Sequence, residues 1–260
     1  MQFIDYLTTF FALPRCMSCL AYLSDTAFHD ALCQPCTWSL LPWPDSSCEK
    51  CGVILEFETT FCGPCRLQPG LFEKNRAAFI YGGPIQQAIL TWKKPRTSEG
   101  RTRALADLAL VPARGPDPEI IHWVPIPPNP TLQRGRNFLP ARALALQLSR
   151  FHPRVKVLDV LEEQRRTTGR RVQRTYTVRG KSELPDRILL IDDVQTTGQA
   201  SADAAKALKS AGARSISLWT LARTTYGCEL YVAPSPRSVE ETGTRFRREA
   251  NSVAMPSAAT

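Results

Sequence analysis

The stretch Arg187-Ile-Leu-Leu-Ile-Asp-Asp-Val-Gln-Thr-Thr-Gly-Gln-Ala-Ser201 constrains this chain more than any other. Ile188 to Ile191 are an unbroken apolar run, the pattern of a parallel strand covered on both faces. Asp192 and Asp193 stand at its carboxyl end, and Thr196, Thr197 and Gly198 follow as a loop. Ala200 to Ala211 then read as a helix, with Gly212 suited to its C-terminal stop. Strand, polar loop and helix N-terminus together aim free backbone N–H groups and the positive helix end at one place, where an anion fits. Gly198 lets the backbone come close, and the hydroxyls of Thr196, Thr197 and Ser201, with Gln199 among them, face a phosphate as candidate donors. Two carboxylates beside that site would repel the anion unless they bind something else. Ribose hydroxyls, with a Mg²⁺ nearby, are the natural partners. The plain alternative is an ordinary strand–turn–helix with an acidic loop.

Eight of the nine cysteines form four pairs, each with two residues between: Cys16/Cys19, Cys33/Cys36, Cys48/Cys51 and Cys62/Cys65. That spacing turns both sulfurs toward one metal, and two such knuckles complete a tetrahedral Zn²⁺ site. The gaps Leu20 to Leu32 and Gly52 to Phe61 are long enough for hairpins. Sequential pairing gives two zinc ribbons; interleaved pairing satisfies the same spacing. All-sulfur ligation leaves no open position for water, so the expected role of the zinc is structural. A disulfide framework is the other use of paired cysteines, and it belongs to oxidising compartments. The apolar start Phe3 to Leu13 carries Asp5, has no basic lead-in and is too short to span a membrane, so the expected place is the cytoplasm, with no membrane insertion. Cys228 reads as a spare thiol.

With 260 residues the chain has room for one moderate domain and a small one. The expected division is a double zinc ribbon over 1–68, an α/β parallel-sheet domain over 69–232 after the break at Pro69-Gly70, and a disordered tail over 233–260, where Pro, Ser, Thr, Arg and Glu dominate. Strands are expected over Ala77 to Tyr81, Ile120 to Ile126, Val155 to Leu161 and Ser215 to Leu221. Helices are expected over Pro84 to Trp92, Thr102 to Val111 and Leu139 to Ser149. The net charge of +9 is concentrated: Arg150 to Lys181 hold ten Lys and Arg against three acids. Such a segment invites pyrophosphate or nucleic acid, or is simply a solvated loop. The ribbons hold one basic residue, Lys50, between Cys16 and Cys65, which weakens a direct nucleic-acid role for them. Trp38, Trp43, Phe57 and Phe61 could stack bases or form a small core there.

The acidic pair followed by Val194, Thr196-Thr197-Gly198 resembles the phosphoribosyl pyrophosphate (PRPP) motif of type I phosphoribosyltransferases. With the cysteine pairs ahead of it, with Val124-Pro125-Ile126-Pro127 and with Arg134-Gly135-Arg136-Asn137-Phe138, the chain resembles the ComF family of competence-associated proteins from Cys16 to about Arg223. It departs from that pattern at Ala200, where the motif carries Thr, at Arg136 and Phe138, which replace Phe and Gln, and in the basic stretch, where the family's Arg-x-x-Asn lacks its Asn.

The resemblance implies a type I phosphoribosyltransferase-like domain that binds PRPP or another ribose 5-phosphate ligand. Asp192 and Asp193 would hold the ribose hydroxyls as the catalytic pair. Thr196, Thr197, Gly198, Gln199 and Ser201 would cradle the 5′-phosphate, and Arg134 and Arg136 would meet pyrophosphate with Mg²⁺. It also implies a role in DNA uptake, with the acceptor open. The rival reading is a non-catalytic protein of the uptake machinery, binding single-stranded DNA or docking an uptake helicase.

Overall fold

The computed structural model describes residues 15–23, 31–56, 59–67, 70–94, 99–110, 115–128, 138–168, 171–180 and 183–225, with backbone alone for 99, 165–168 and 171–174. Phe3 to Leu13, Phe57, Arg134, Arg136, Cys228 and the tail expected over 233–260 lie outside the described residues.

The chain is α/β, and its cysteine knuckles precede the sheet, as the sequence predicts. Two short helices, α1 (Gln34–Trp38) and α2 (Gly63–Leu67), each carry the second cysteine of a knuckle. Then follow β1 (Asn75–Ile80), α3 (Gly83–Trp92), α4 (Glu99–Leu110), β2 (His122–Pro125), α5 (Pro140–Ser149), β3 (Lys156–Val157), β4 (Leu161–Thr168), β5 (Arg171–Val178), β6 (Arg187–Gln195), α6 (Gln199–Ser210) and β7 (Ser215–Arg223). Five strands form a parallel sheet in the order β1-β7-β6-β2-β3.

Alternation along β6 explains the sandwich. Ile188 and Leu190, with Ile216 and Leu218 of β7, face Ala204, Ala205 and Leu208 of α6. Leu189 and Ile191, with Trp219 and Leu221, face Ile89 and Trp92 of α3, Leu105 and Leu108 of α4, and Leu144 and Leu148 of α5. Both faces are covered, so the strand reads as a continuous apolar run, and each buried leucine or isoleucine contributes about 1.5–3 kcal/mol. Two tryptophans enter this core with their N–H groups satisfied: Trp92 Nε1 donates to Thr102 Oγ1 at 3.0 Å and Trp123 Nε1 to the Ile120 carbonyl at 2.6 Å. Pro84 sits in the first turn of α3 and Pro140 in that of α5, where a missing N–H costs nothing.

Three expectations need correction. The strand expected over Val155 to Leu161 is two residues long, Lys156–Val157; it is an edge strand with one neighbour. Leu161 instead opens an antiparallel hairpin, β4 with β5, in which Leu161 faces Val178 and Thr168 faces Arg171. The described part of the basic stretch beyond Leu161 therefore forms a two-stranded arm rather than an irregular loop. Asp192 and Asp193 lie within β6, which runs on to Gln195, so alternation sends them to opposite faces.

Candidate functional site

At the carboxyl end of β6 the chain turns through Thr196 and Thr197 to Gly198, which is left-handed at φ 76° and caps α6. The left-handed conformation calls for glycine, while a β-carbon there would meet only the end of the Gln195 side chain, at 3.1 Å from Nε2. The first turn of α6 lines a cavity of about 1210 Å³, walled by Asp192, the segment Gln195 to Ser201 and Lys206 on one side and by Thr175 to Val178 of β5 on the other. Thr196, Thr197 and Gln199 are exposed at its wall. Thr197 Oγ1 accepts from the Gln199 N–H at 3.3 Å, and the Gln199 side chain donates to Asp203 at 2.8 Å. Ser201 is buried, and its hydroxyl donates to the Gly198 carbonyl at 3.0 Å, stiffening the turn from within. Lys206, which the sequence did not single out, brings a cation to the cavity from the second turn of α6.

The two carboxylates have unlike surroundings. Asp192 lines the cavity and accepts the Asp193 N–H at 2.9 Å. Burial, then the neighbouring Asp193 charge, push it up to about 8 despite that bond and Lys93. Asp193 is paired with Lys93 Nζ at 2.8 Å, just past the end of α3 on the other side of the sheet. Because Asp192 holds its proton in the native state up to about pH 8, whereas an unfolded carboxyl releases it near 4, its contribution to stability declines across that window as pH rises.

The cysteines group sequentially: Cys16, Cys19, Cys33 and Cys36 in one cluster, Cys48, Cys51, Cys62 and Cys65 in the other, with all sulfurs of each within 4.8 Å of one another. This settles the pairing that spacing left open. Cys19 and Cys33 sulfurs are 3.6 Å apart, as are those of Cys51 and Cys62. Tetrahedral sulfurs about 2.3 Å from Zn²⁺ would stand about 3.8 Å apart, so the donor sets fit that ion. Before a metal binds, one thiol of each cluster is poised to ionise first, while the hydrogen bond with Cys16 pushes Cys36 up and burial pushes Cys33, Cys51 and Cys65 up. A hydrogen bond from Cys36 lowers Cys16 to about 4. Burial opposes ionisation of Cys48, but the backbone N–H groups of Cys51, Cys62 and Lys50 and the Cys51 thiol bring it down to about 6. Among the described residues these two groups are the clusters that suit a metal, and no helix is long and apolar enough to cross a membrane.

No family model matches the chain. It is 28% identical over 236 residues to Competence protein F of Haemophilus influenzae, an alignment that covers 80% of this chain and 96% of that protein. The chain is similar to that protein over nearly all of the latter's length.

In this chain the knuckles are not an appendage. Cys16, Met17, Leu32 and Cys36 belong to the same buried cluster as α3, α4 and α5. Trp43 is buried against Ala77 and Ile80, and its backbone N–H donates to the Ala78 carbonyl at 2.9 Å; Trp38 is exposed. Lys50 sits 4.9 Å from the Phe61 ring. Ala200 lines the cavity where the family motif carries a hydroxyl. Sequence reasoning missed Arg223. From the end of β7 its guanidinium donates to the Cys51 carbonyl at 2.7 Å and lies 5.3 Å from the Trp43 ring. Nothing in the local pattern of a buried strand announces such a contact.

Proposed function

We propose that this chain binds a 5-phosphorylated ribose, PRPP foremost, in the cavity beyond β6, as a phosphoribosyltransferase-family protein serving DNA uptake in the cytoplasm. The observation that carries this reading is the left-handed Gly198 at the head of α6, which brings Thr196, Thr197 and the first turn of the helix to the wall of one large cavity. Thr196, Thr197 and Gly198 would hold the 5′-phosphate. Asp192, held neutral by burial, would donate to a ribose hydroxyl as well as accept from one. Ser201 and Asp193 would act at one remove, the first by fixing the turn and the second through Lys93. A Mg²⁺ arriving with pyrophosphate would neutralise the charge that develops as pyrophosphate leaves C1. What the protein adds is positioning, with a nitrogen nucleophile taking the vacant ring position. The uptake role rests on the name of the similar Competence protein F.

Calorimetry with PRPP and Mg²⁺ tests this. Wild type should bind, Asp192→Ala, which removes both donor and acceptor, should weaken binding at least about tenfold, and a wild type that gives no binding heat removes the reading. The excess of basic residues along the β4–β5 arm favours a second reading, single-stranded DNA binding without catalysis. Salt-dependent DNA binding that survives Asp192→Ala and falls when Arg165, Arg166, Arg170 and Arg171 are neutralised would favour it.

A further inference from the structure

The second four-cysteine cluster and the anion loop meet at opposite ends of one short path. The Cys51 carbonyl accepts from Arg223 Nη1 at 2.7 Å and from Asn75 Nδ2 at 3.1 Å. The Asn75 N–H donates to the Glu49 carbonyl at 2.7 Å, so the turn between Cys48 and Gly52 is sewn to β1 and β7 together. Gly52, at φ 71°, makes room: a β-carbon there would overlap the Arg223 guanidinium and come within 2.9 Å of the Asn75 carbonyl. On its other side Arg223 is paired in register with Gln195 of β6. The next residue, Thr224, donates its N–H to the Gln195 carbonyl at 3.0 Å and its hydroxyl to the Thr196 carbonyl at 3.2 Å. These two carbonyls begin the anion loop. A Zn²⁺ with four thiolates carries net negative charge, and partners one shell out orient the ligands of such sites. Two cations stand in that place: Lys50, whose Nζ donates to the Cys65 carbonyl at 3.3 Å, and Arg223, which alone of the two also belongs to the sheet.

We propose that Arg223 is a positioning residue that transmits occupancy of the second cysteine cluster to the anion loop, so that zinc loss there slackens the Gln195 to Gly198 turn. The physical coupling stands on the contacts above; its consequence for ligand binding rests on the sugar-phosphate reading of the loop.

The test is amide exchange followed by NMR on the zinc-loaded full chain. The reporters are Thr224, bonded to Gln195, and Ala202, bonded to the Gly198 carbonyl at 2.9 Å. Arg223→Gln and Cys65→Ser should each speed exchange at both reporters by about tenfold more than at Leu190 in the sheet centre, which follows the loss of global stability alone. The double variant should add little to either single one, because both cut the same path. Arg223→Lys should restore part of the protection, and it decides the matter if Arg223→Gln does not fold. Unchanged reporters in Cys65→Ser, or effects that add in the double variant, overturn the proposal. A parallel titration with ribose 5-phosphate separates the two ideas: coupling without binding supports the path and sinks only the sugar-phosphate reading.

Discussion

The two cysteine clusters are built to one plan and held by different forces. In the first, Leu20 N–H donates to the Cys16 carbonyl at 3.0 Å and Cys16 N–H to the Ala21 carbonyl at 2.8 Å. In the second, Gly52 N–H donates to the Cys48 carbonyl at 2.7 Å and Cys48 N–H to the Val53 carbonyl at 2.8 Å. The residue after each leading knuckle is left-handed, Leu20 at φ 65° and Gly52 at φ 71°. Around this shared turn everything differs. The first cluster buries Cys16 and Cys36 in the main core, and Leu20 points outward, 39% exposed. The second touches the sheet through polar bonds from Arg223 and Asn75, and its α2 buries no residue. Apolar packing tolerates a strained leucine on the rim; a polar seam pressed against the turn admits only glycine.

The strongest way to break this contrast is to remove one ligand from each. Cys36→Ser should cost at least ~4 kcal/mol and abolish a cooperative melt, because core and metal site go together. Cys65→Ser should cost only ~1–2 kcal/mol and leave the melt cooperative, with bound zinc falling from about two to about one per chain. Equal losses would show that the clusters are energetically alike. Gly52→Ala comes next, at ~2–4 kcal/mol from the left-handed strain and the displaced Arg223 bond, read by denaturant unfolding.

Asp192 and Asp193 are a second pair of like residues in unlike places. Asp192→Asn should raise Tm by roughly 2–5 °C at about pH 8.5 and hardly at all near pH 4, since the buried carboxyl loses stability as it ionises. Asp193→Asn removes the partner of Lys93 and should lower stability by at most ~1 kcal/mol, without that pH profile. The smallest effect is Leu20→Gly, a gain of ~0.5 kcal/mol as relief of strain outweighs the added freedom of the unfolded chain.

What the sequence reveals here is what is written locally. The apolar run of β6, the glycine stops and the proline starts placed β6, α6, α3 and α5 to within a residue or so at most ends. The cysteine spacing located both clusters. The arm was missed because its charges spoke for a loop, although Thr175-Tyr176-Thr177-Val178 is rich in strand-favouring residues. Contacts between distant segments left no mark at all: Lys93 meets Asp193 a hundred positions on, and Arg223 meets Cys51 farther still. The acids were read as a pair because they are adjacent, yet adjacency within a strand is what divides them.

The order of the sheet has a consequence for how the chain is made. Among the described strands of the sheet β1 is the first to leave the ribosome and β7 the last, and β7 is the neighbour that β1 hydrogen-bonds. Until about residue 223 has emerged, the nascent chain must carry an unpaired ribbon edge beside metal-binding turns that can already close. Translation therefore finishes the sheet in one late step, by sliding its final strand between two that have been waiting.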